Sequence, residues 1–347
     1  MNATAPRDIR KLSAAELEEF FVQRGEKAFR GRQVYEWLWK KSAKDFDQMT
    51  NLSVATRDVL REHFTINPIR VDQLQRSTDG TIKNAVQLHD GLIVESVLIP
   101  AEKRITACVS SQVGCSLACA FCATARLKRM RNLSADEIYD QVVAIREQAE
   151  LYFNRPLTNI VFMGMGEPLL NYANVMTAIE RITSPKGLGM AMKRITVSTA
   201  GVTKMIRKMA DDDVRFNLAV SLHSAVAVTR SSIMPINDTN SLEELSDALR
   251  HWYRKTKSKV TYEYVVWKGI NDKEEDIQAL LKFCQAVPCK VNLIEYNPID
   301  DGPFEQAAPE VIDRYIDVLE QHGITTRVRR SRGKDIDAAC GQLANKF

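Results

Sequence analysis

The stretch Arg104-Ile105-Thr106-Ala107-Cys108-Val109-Ser110-Ser111-Gln112-Val113-Gly114-Cys115-Ser116-Leu117-Ala118-Cys119-Ala120-Phe121-Cys122 decides how the rest of the chain is read. Its first six residues are a β-branched run of strand length. A loop with a glycine and three cysteines follows, and from Ala135 to Ala149 apolar residues recur at helical spacing. The order is strand, chemically unusual loop, helix.

Outward from this unit the same order repeats. Strand candidates are Asn159–Met163, Arg194–Ser198, Arg215–Leu222, Lys259–Trp267, Cys289–Tyr296 and Thr325–Arg329, with helical candidates at Tyr172–Ile182, Leu242–Tyr253, Glu274–Cys284 and Pro309–His322. About six βα units in ~250 residues predict an α/β fold, a partial (β/α)6 barrel, whose chemistry sits in loops past the strand ends. The polar residues agree: Gly164–Pro168, Ser198–Gly201, His223 and Asn297 each follow a strand. Before the barrel, helices are expected at Ala14–Gln23 and Gly31–Lys40 and strands between Arg70 and Pro100. This divides the chain into a mainly helical module with a strand extension, 1–95, and the barrel with a C-terminal loop, 96–347.

Length and composition bound the function. The chain has 347 residues, 45% hydrophobic and 27% charged, which excludes a largely disordered or fibrous protein. Its net charge of +4 means that polyanion affinity must come from local clusters. One such cluster is Arg24, Lys27, Arg30, Arg32, Lys40 and Lys41, interleaved with Phe29, Tyr35, Trp37 and Trp39. It suits phosphate contact and base stacking, or equally a solvated face over an aromatic core. Met1–Arg10 offers no signal peptide and no run of about 18 apolar residues occurs, so the expectation is a cytoplasmic protein with no membrane partner. In that reducing compartment the seven cysteines are read as ligands, nucleophiles or buried hydrophobes.

Cys115, Cys119 and Cys122 are spaced Cys-x3-Cys-x2-Cys. Three thiolates from one compact loop can hold three irons of a [4Fe–4S] cube and leave the fourth iron open to an amino-carboxylate such as the head of S-adenosylmethionine. Zinc sites normally use two separated pairs, and no second pair fits here, although a zinc-stabilised RNA-binding protein without catalysis stays as the competing reading. Gly164-Met165-Gly166-Glu167-Pro168 places glycines where backbone must approach a ligand and a carboxylate where an amine can be received. Cys284 and Cys289 read as core or incidental. Glu95, in Ile93–Ile99, shares a strand face with Ile93, Val97 and Ile99, where an apolar setting raises its proton affinity.

Cys108-Val109-Ser110-Ser111-Gln112-Val113-Gly114-Cys115, Cys119, Cys122, Gly164–Pro168 and Asp335-Ile336-Asp337-Ala338-Ala339-Cys340-Gly341-Gln342-Leu343 together closely resemble the RlmN/Cfr family of radical-SAM RNA methyltransferases. The resemblance spans nearly the whole chain, including Gly25–Arg30 and Trp37. It implies a helical RNA-contacting module, one [4Fe–4S] cluster bound by Cys115, Cys119 and Cys122, and two uses of S-adenosylmethionine per turnover. Gly166, Glu167, Ser198, Ser221, Leu222, His223 and Asn297 fall where the family contacts S-adenosylmethionine. Cys340 matches the cysteine that is itself methylated, Cys108 the resolving thiol that forms a disulfide with it, and Glu95 the proton acceptor. The implied activity is methylation of adenosine C2 in 23S rRNA and in tRNA, by a monomer served by an external one-electron donor such as a flavodoxin. The alternative within the family is C8 methylation. Arg126-Leu127-Lys128-Arg129-Met130-Arg131 departs from the family pattern after the third cluster cysteine, and is read as an RNA contact because it abuts the cysteine loop.

Overall fold

The computed structural model describes residues 6–300 and 302–346. Met1–Ala5, the first part of the segment read for a signal peptide, lie outside them. Three helices come first: α1 (Ala14–Val22), α2 (Phe29–Trp39) and α3 (Val54–His63). Ser13 and Glu16 close a capping box that starts α1, and the Ser53 hydroxyl caps α3. The sequence reading anticipated the first two and passed over α3.

One ten-stranded sheet follows: β1 (Arg70–Arg76), β2 (Ile82–Gln87), β3 (Ile93–Ala101), β4 (Arg104–Cys108), β5 (Asn159–Phe162), β6 (Ile195–Thr199), β7 (Asn217–Ser221), β8 (Val260–Val265), β9 (Cys289–Ile294) and β10 (Thr325–Arg329). Each strand lies beside its predecessor. From β1 to β4 the pairing is antiparallel, and from β4 to β10 it is parallel throughout. The parallel crossovers are carried by α4 (Ala135–Phe153), α5 (Tyr172–Thr183), α6 (Thr203–Asp211), α7 (Ala227–Ile233) with α8 (Leu242–Thr256), α9 (Glu274–Cys284) and α10 (Pro309–Gln321). These six crossovers make a (β/α)6 partial barrel with β10 as a free edge. Strand β3 runs through position 95/96, where the sequence suggested a division. Hydrogen bonding ties residues 70–101 into the barrel's own sheet, leaving only the helices before Arg70 outside it.

Alternation sorts the barrel's side chains. Ile105, Ala107, Ile160, Phe162, Tyr262, Val291 and Leu293 enter the core beneath the helices. Their neighbours Thr106, Cys108, Asn159, Thr261, Glu263, Asn292 and Arg329 line the inside. A closed eight-stranded barrel fills its bore with branched apolar residues. This one keeps a polar interior.

The helical module docks on α4 through a buried ion cluster. Arg10, almost wholly buried, lies 3.2 Å from Asp8, 3.4 Å from Asp136 and 2.7 Å from Asp140. Trp39 packs edge-on against Tyr139, whose hydroxyl donates to the Trp39 carbonyl at 2.6 Å. The aromatic residues of the basic cluster therefore divide. Tyr35 and Trp39 belong to the core, whereas Phe29 stays at the surface and Trp37 is half-buried, with Arg30 over Phe29 and Lys41 over Trp37.

Candidate active site

Beyond β4 the chain makes a short antiparallel pair, Gln112–Val113 with Arg131–Asn132, which closes the base of the cysteine loop. Gly114 adopts φ +72°, and a Cβ there would sit 2.4 Å from the Lys128 carbonyl oxygen, so the loop's entry needs glycine on two counts. Arg131 donates to both oxygens of Glu137 at 2.8 Å and to Asp90 at 2.6 Å. Arg126 reaches the Asp300 carbonyl. These two guanidiniums hold the loop in place, which corrects the reading of the whole run as an RNA contact.

Cys115, Cys119 and Cys122 line one wall of a cavity of about 180 Å³ at the C-terminal ends of the strands. Burial pushes all three thiols up, and each has a neighbouring cysteine whose charge raises it further. Such a trio needs metal charge to become thiolate. Among the described residues no three potential ligands converge on one point. A cube presents its irons at separate corners, and this donor set suits it.

The opposite wall comes from the Gly164–Pro168 loop. Gly166, at φ +93°, lies so close to Gln112 that a Cβ would approach its side chain to 2.5 Å. Glu167 accepts from the Leu169 N–H at 3.0 Å and the Ala200 N–H at 2.8 Å, and burial lifts its carboxyl to about 7. Ser198, Ser221, His223 and Asn297 complete the rim. His223 sits at φ +56° and accepts the Val265 N–H on Nδ1 at 3.1 Å. Burial and the nearby Arg230 drop its pKa to about 3, so the ring is neutral. Asn297 donates to the Cys340 carbonyl at 3.2 Å and leaves Oδ1 buried without a partner, an acceptor facing the space a ligand would fill. Leu222 is not at the rim. Its side chain is fully buried in the core, and its carbonyl accepts from Arg230.

The C-terminal segment crosses the barrel's open side. Gly333 N–H and Ser77 bind Asp79 and Asp335 respectively at one end. At the other, Ala123 N–H donates to the Gly341 carbonyl at 2.7 Å and Thr124 to the Leu343 carbonyl at 2.6 Å. Cys340 is thereby held in the cavity wall. Cys108 lines a second cavity in the barrel interior, and Cys340 and Arg329 line both. Burial and Cys340 together lift Cys108 to about 12, while Arg329 opposes them. All seven cysteines are free in this structure. Glu95 is wholly buried but lines neither cavity. It lies 3.5 Å from Lys83 beneath the final residues, and burial raises its carboxyl.

Two site residues escaped the sequence reading. Arg230, wholly buried, donates to the carbonyls of Leu222 (3.1 Å) and Ala200 (2.7 Å) and to Asn237 (3.0 Å), tying the ends of β6 and β7 beside Cys119. Glu263 lies 3.5 Å from Arg329 and accepts from Asn292 at 2.9 Å. A carboxylate inside a parallel strand was a readable signal. An arginine in a seven-residue helix was not.

Residues 7–66 match the family of the ribosomal RNA large subunit methyltransferase N-terminal domain, and residues 109–284 match the radical SAM superfamily. The "Probable dual-specificity RNA methyltransferase RlmN" of Flavobacterium psychrophilum is 69% identical over 340 residues, 98% of each chain. The chain belongs to the RlmN family. The "Dual-specificity RNA methyltransferase RlmN" of Syntrophus aciditrophicus is 41% identical over 98% of this chain and 97% of its own length. A crystal structure of a radical SAM methyltransferase from Sphaerobacter thermophilus superposes with a TM-score of 0.92 at 39% identity, covering 98% of this chain and 100% of that one. Membership in the RlmN family brings a [4Fe–4S] cluster and S-adenosylmethionine as cofactors, and the zinc-only reading falls with it. No described helix is long and apolar enough to cross a membrane.

Proposed function

We propose that this RlmN-family enzyme methylates C2 of an adenosine in 23S rRNA and in tRNA, with Cys340 as the carrier of the methyl group. The observation that carries the reading is the position of Cys340 in the wall of both cavities, with Cys108 in the second. A C2 carbon is electron-poor and cannot attack a sulfonium methyl directly, so a sulfur carrier within the protein is needed. Bound at Cys115, Cys119 and Cys122, the cluster supplies, with S-adenosylmethionine, the methyl group and the one-electron chemistry that activates it.

The chain's own residues do the rest. Glu167 and Asn297 offer acceptors to the cofactor's amino-carboxylate and ribose, Ser198 and Ser221 hydroxyls, and neutral His223 a wall that carries no charge. Arg329 places its guanidinium beside Cys340, the sulfur that takes the methyl. Once the carbon has joined the base, Glu95 accepts the C2 proton. Its burial beside Lys83 suits a base, and it requires Ala344–Lys346 to shift aside. Cys108 then opens the protein–RNA thioether: its sulfur bonds to that of Cys340, the Cys340 S–C bond breaks toward the base, and the released methylene carbon takes a proton to become the methyl group. An external one-electron donor of the flavodoxin type, a monomeric state and a cytoplasmic location complete the reading.

The test is mass spectrometry of RNA treated with reconstituted enzyme and methyl-labelled cofactor. Label in 2-methyladenosine supports the proposal. Label in 8-methyladenosine assigns the C8 reaction instead, and label in neither removes the reading.

A further inference from the structure

The second cavity holds more than the resolving thiol needs. It runs from Cys108 and Cys340 down the barrel's polar bore to residues at the strand starts, Arg104 on β4, Asn159 on β5 and Lys290 on β9, where Arg104 and Lys290 are exposed. Its cations are Arg104, Lys290, Arg327, Arg329, Arg330 and Arg332, and among the described residues its one carboxylate is Glu263, already beside Arg329. The upper cavity, with the cluster cysteines and the S-adenosylmethionine rim, is a separate space. Met163, Glu263, Ile294, Arg329, Cys340 and Leu343 stand between the two, because they line both.

We propose that this basic bore is the binding site of a small anionic thiol, one bearing carboxylate groups, which enters from the strand-start end of the barrel and restores Cys108 and Cys340 after each turnover. The inference rests on the Cys108–Cys340 disulfide of the proposed function. Each round of that chemistry leaves one disulfide, and two electrons must return before Cys340 can accept another methyl. Cys108 lines the lower cavity and not the upper one, so a thiolate that reaches its sulfur does so from the bore. Attack forms a mixed disulfide between the small thiol and Cys108 and breaks the Cys108–Cys340 bond. Cys340 leaves as a thiolate beside the Arg329 guanidinium. A second small thiolate then attacks the mixed disulfide, releasing Cys108, which takes a proton, and the oxidised small-molecule disulfide. Two thiols are oxidised and one disulfide is reduced, with no other co-reactant. The order leaves Cys340 in the nucleophilic form and facing the S-adenosylmethionine cavity, ready for methyl transfer.

The experiment uses the full-length, cluster-loaded enzyme after one turnover on RNA, with Cys108 and Cys340 assayed by alkylation and peptide mass spectrometry. Reduction of the disulfide is then timed with three probes, 3-mercaptopropionate, 2-mercaptoethanol and cysteamine, each compared at equal thiolate concentration. The expected order is anionic over neutral over cationic, with an advantage of about tenfold for the anion. In Lys290→Glu and Arg327→Glu that advantage shrinks or inverts. Equal rates for the three probes, or an advantage untouched by either substitution, would overturn the assignment while leaving the disulfide intact. If the substitutions instead raise KM for RNA with reduction rates unchanged, the bore faces RNA and the assignment fails. Methylated RNA with two free thiols at positions 108 and 340 would remove the underlying disulfide, and this site with it.

Discussion

Cys340 and Cys108 differ in what each can see, and their variants should differ accordingly. Cys340→Ala loses the side chain that faces the cofactor, and turnover should fall by at least about 10³-fold with no covalent species formed. Cys108→Ala retains carriage of the methyl but cannot open the thioether, so a protein–RNA adduct resistant to denaturant should accumulate on a gel. His223 makes a prediction about pH. Its folded pKa of about 3 lies below the unfolded value of about 6.5, so on acidification the unfolded chain binds a proton that the folded chain refuses. Stability should therefore fall by about 1.4 kcal/mol per pH unit below about pH 6. His223→Asn, which tolerates positive φ, should flatten that slope in urea titrations of the apoprotein. These residues were unequally legible. The cysteine spacing and the closing Asp335–Leu343 segment declare themselves in one dimension. Glu95 was placed on an apolar face by alternation, and the structure buries it, but its cover by residues near 344–346 joins positions that no periodicity links. Arg230 reads as a surface cation until folding places strand-end carbonyls around it.

At the level of elements, the cysteine loop depends on its narrow entry. Gly114→Ala introduces both a left-handed alanine, costing about 1–2 kcal/mol, and a clash with the Lys128 carbonyl. Iron bound per chain after anaerobic reconstitution should drop. Gly91→Ala has a similar φ of +82° with open space around it, so it should lose a little stability and retain iron, which separates strain from collision. The buried strand Val260–Val265 was legible because such strands are rich in β-branched and aromatic residues, and the edge strand Thr325–Arg329 and the helix Glu274–Cys284 agree with the sequence reading end to end. The short helices α3, α6 and α7 were not. They span ten residues or fewer, too short for helix formation on their own, and tertiary packing stabilises them. The Arg126–Arg131 run shows the same limit, since a basic stretch says nothing about whether Glu137 and Asp90 wait beside it.

Across the whole molecule the helical module and the barrel share one core, joined through Arg10 and its three carboxylates. Arg10→Met leaves Asp8 and Asp140 without their cation, while Asp136 keeps Lys11, and should cost about 3 kcal/mol. Limited proteolysis should then cut between α3 and β1 before the barrel is attacked. The sequence displayed both parts but put the division inside β3, because alternating polar strands look alike whether they extend a barrel or stand apart. The strand order has a kinetic corollary. Neighbours in the sheet are neighbours in the chain, so the scaffold can zip up from local contacts. The tethers of the C-terminal segment join residues far apart in the chain, 258 positions between Ser77 and Asp335 and 219 between Thr124 and Leu343. Closing that circuit has the largest entropic toll and should come last. On refolding from urea, far-UV ellipticity should return ahead of the protection of Cys340 from alkylation. A nearly mature molecule would then possess its entire framework while its sulfur carrier still swings free, and competence would arrive as a late, separate event.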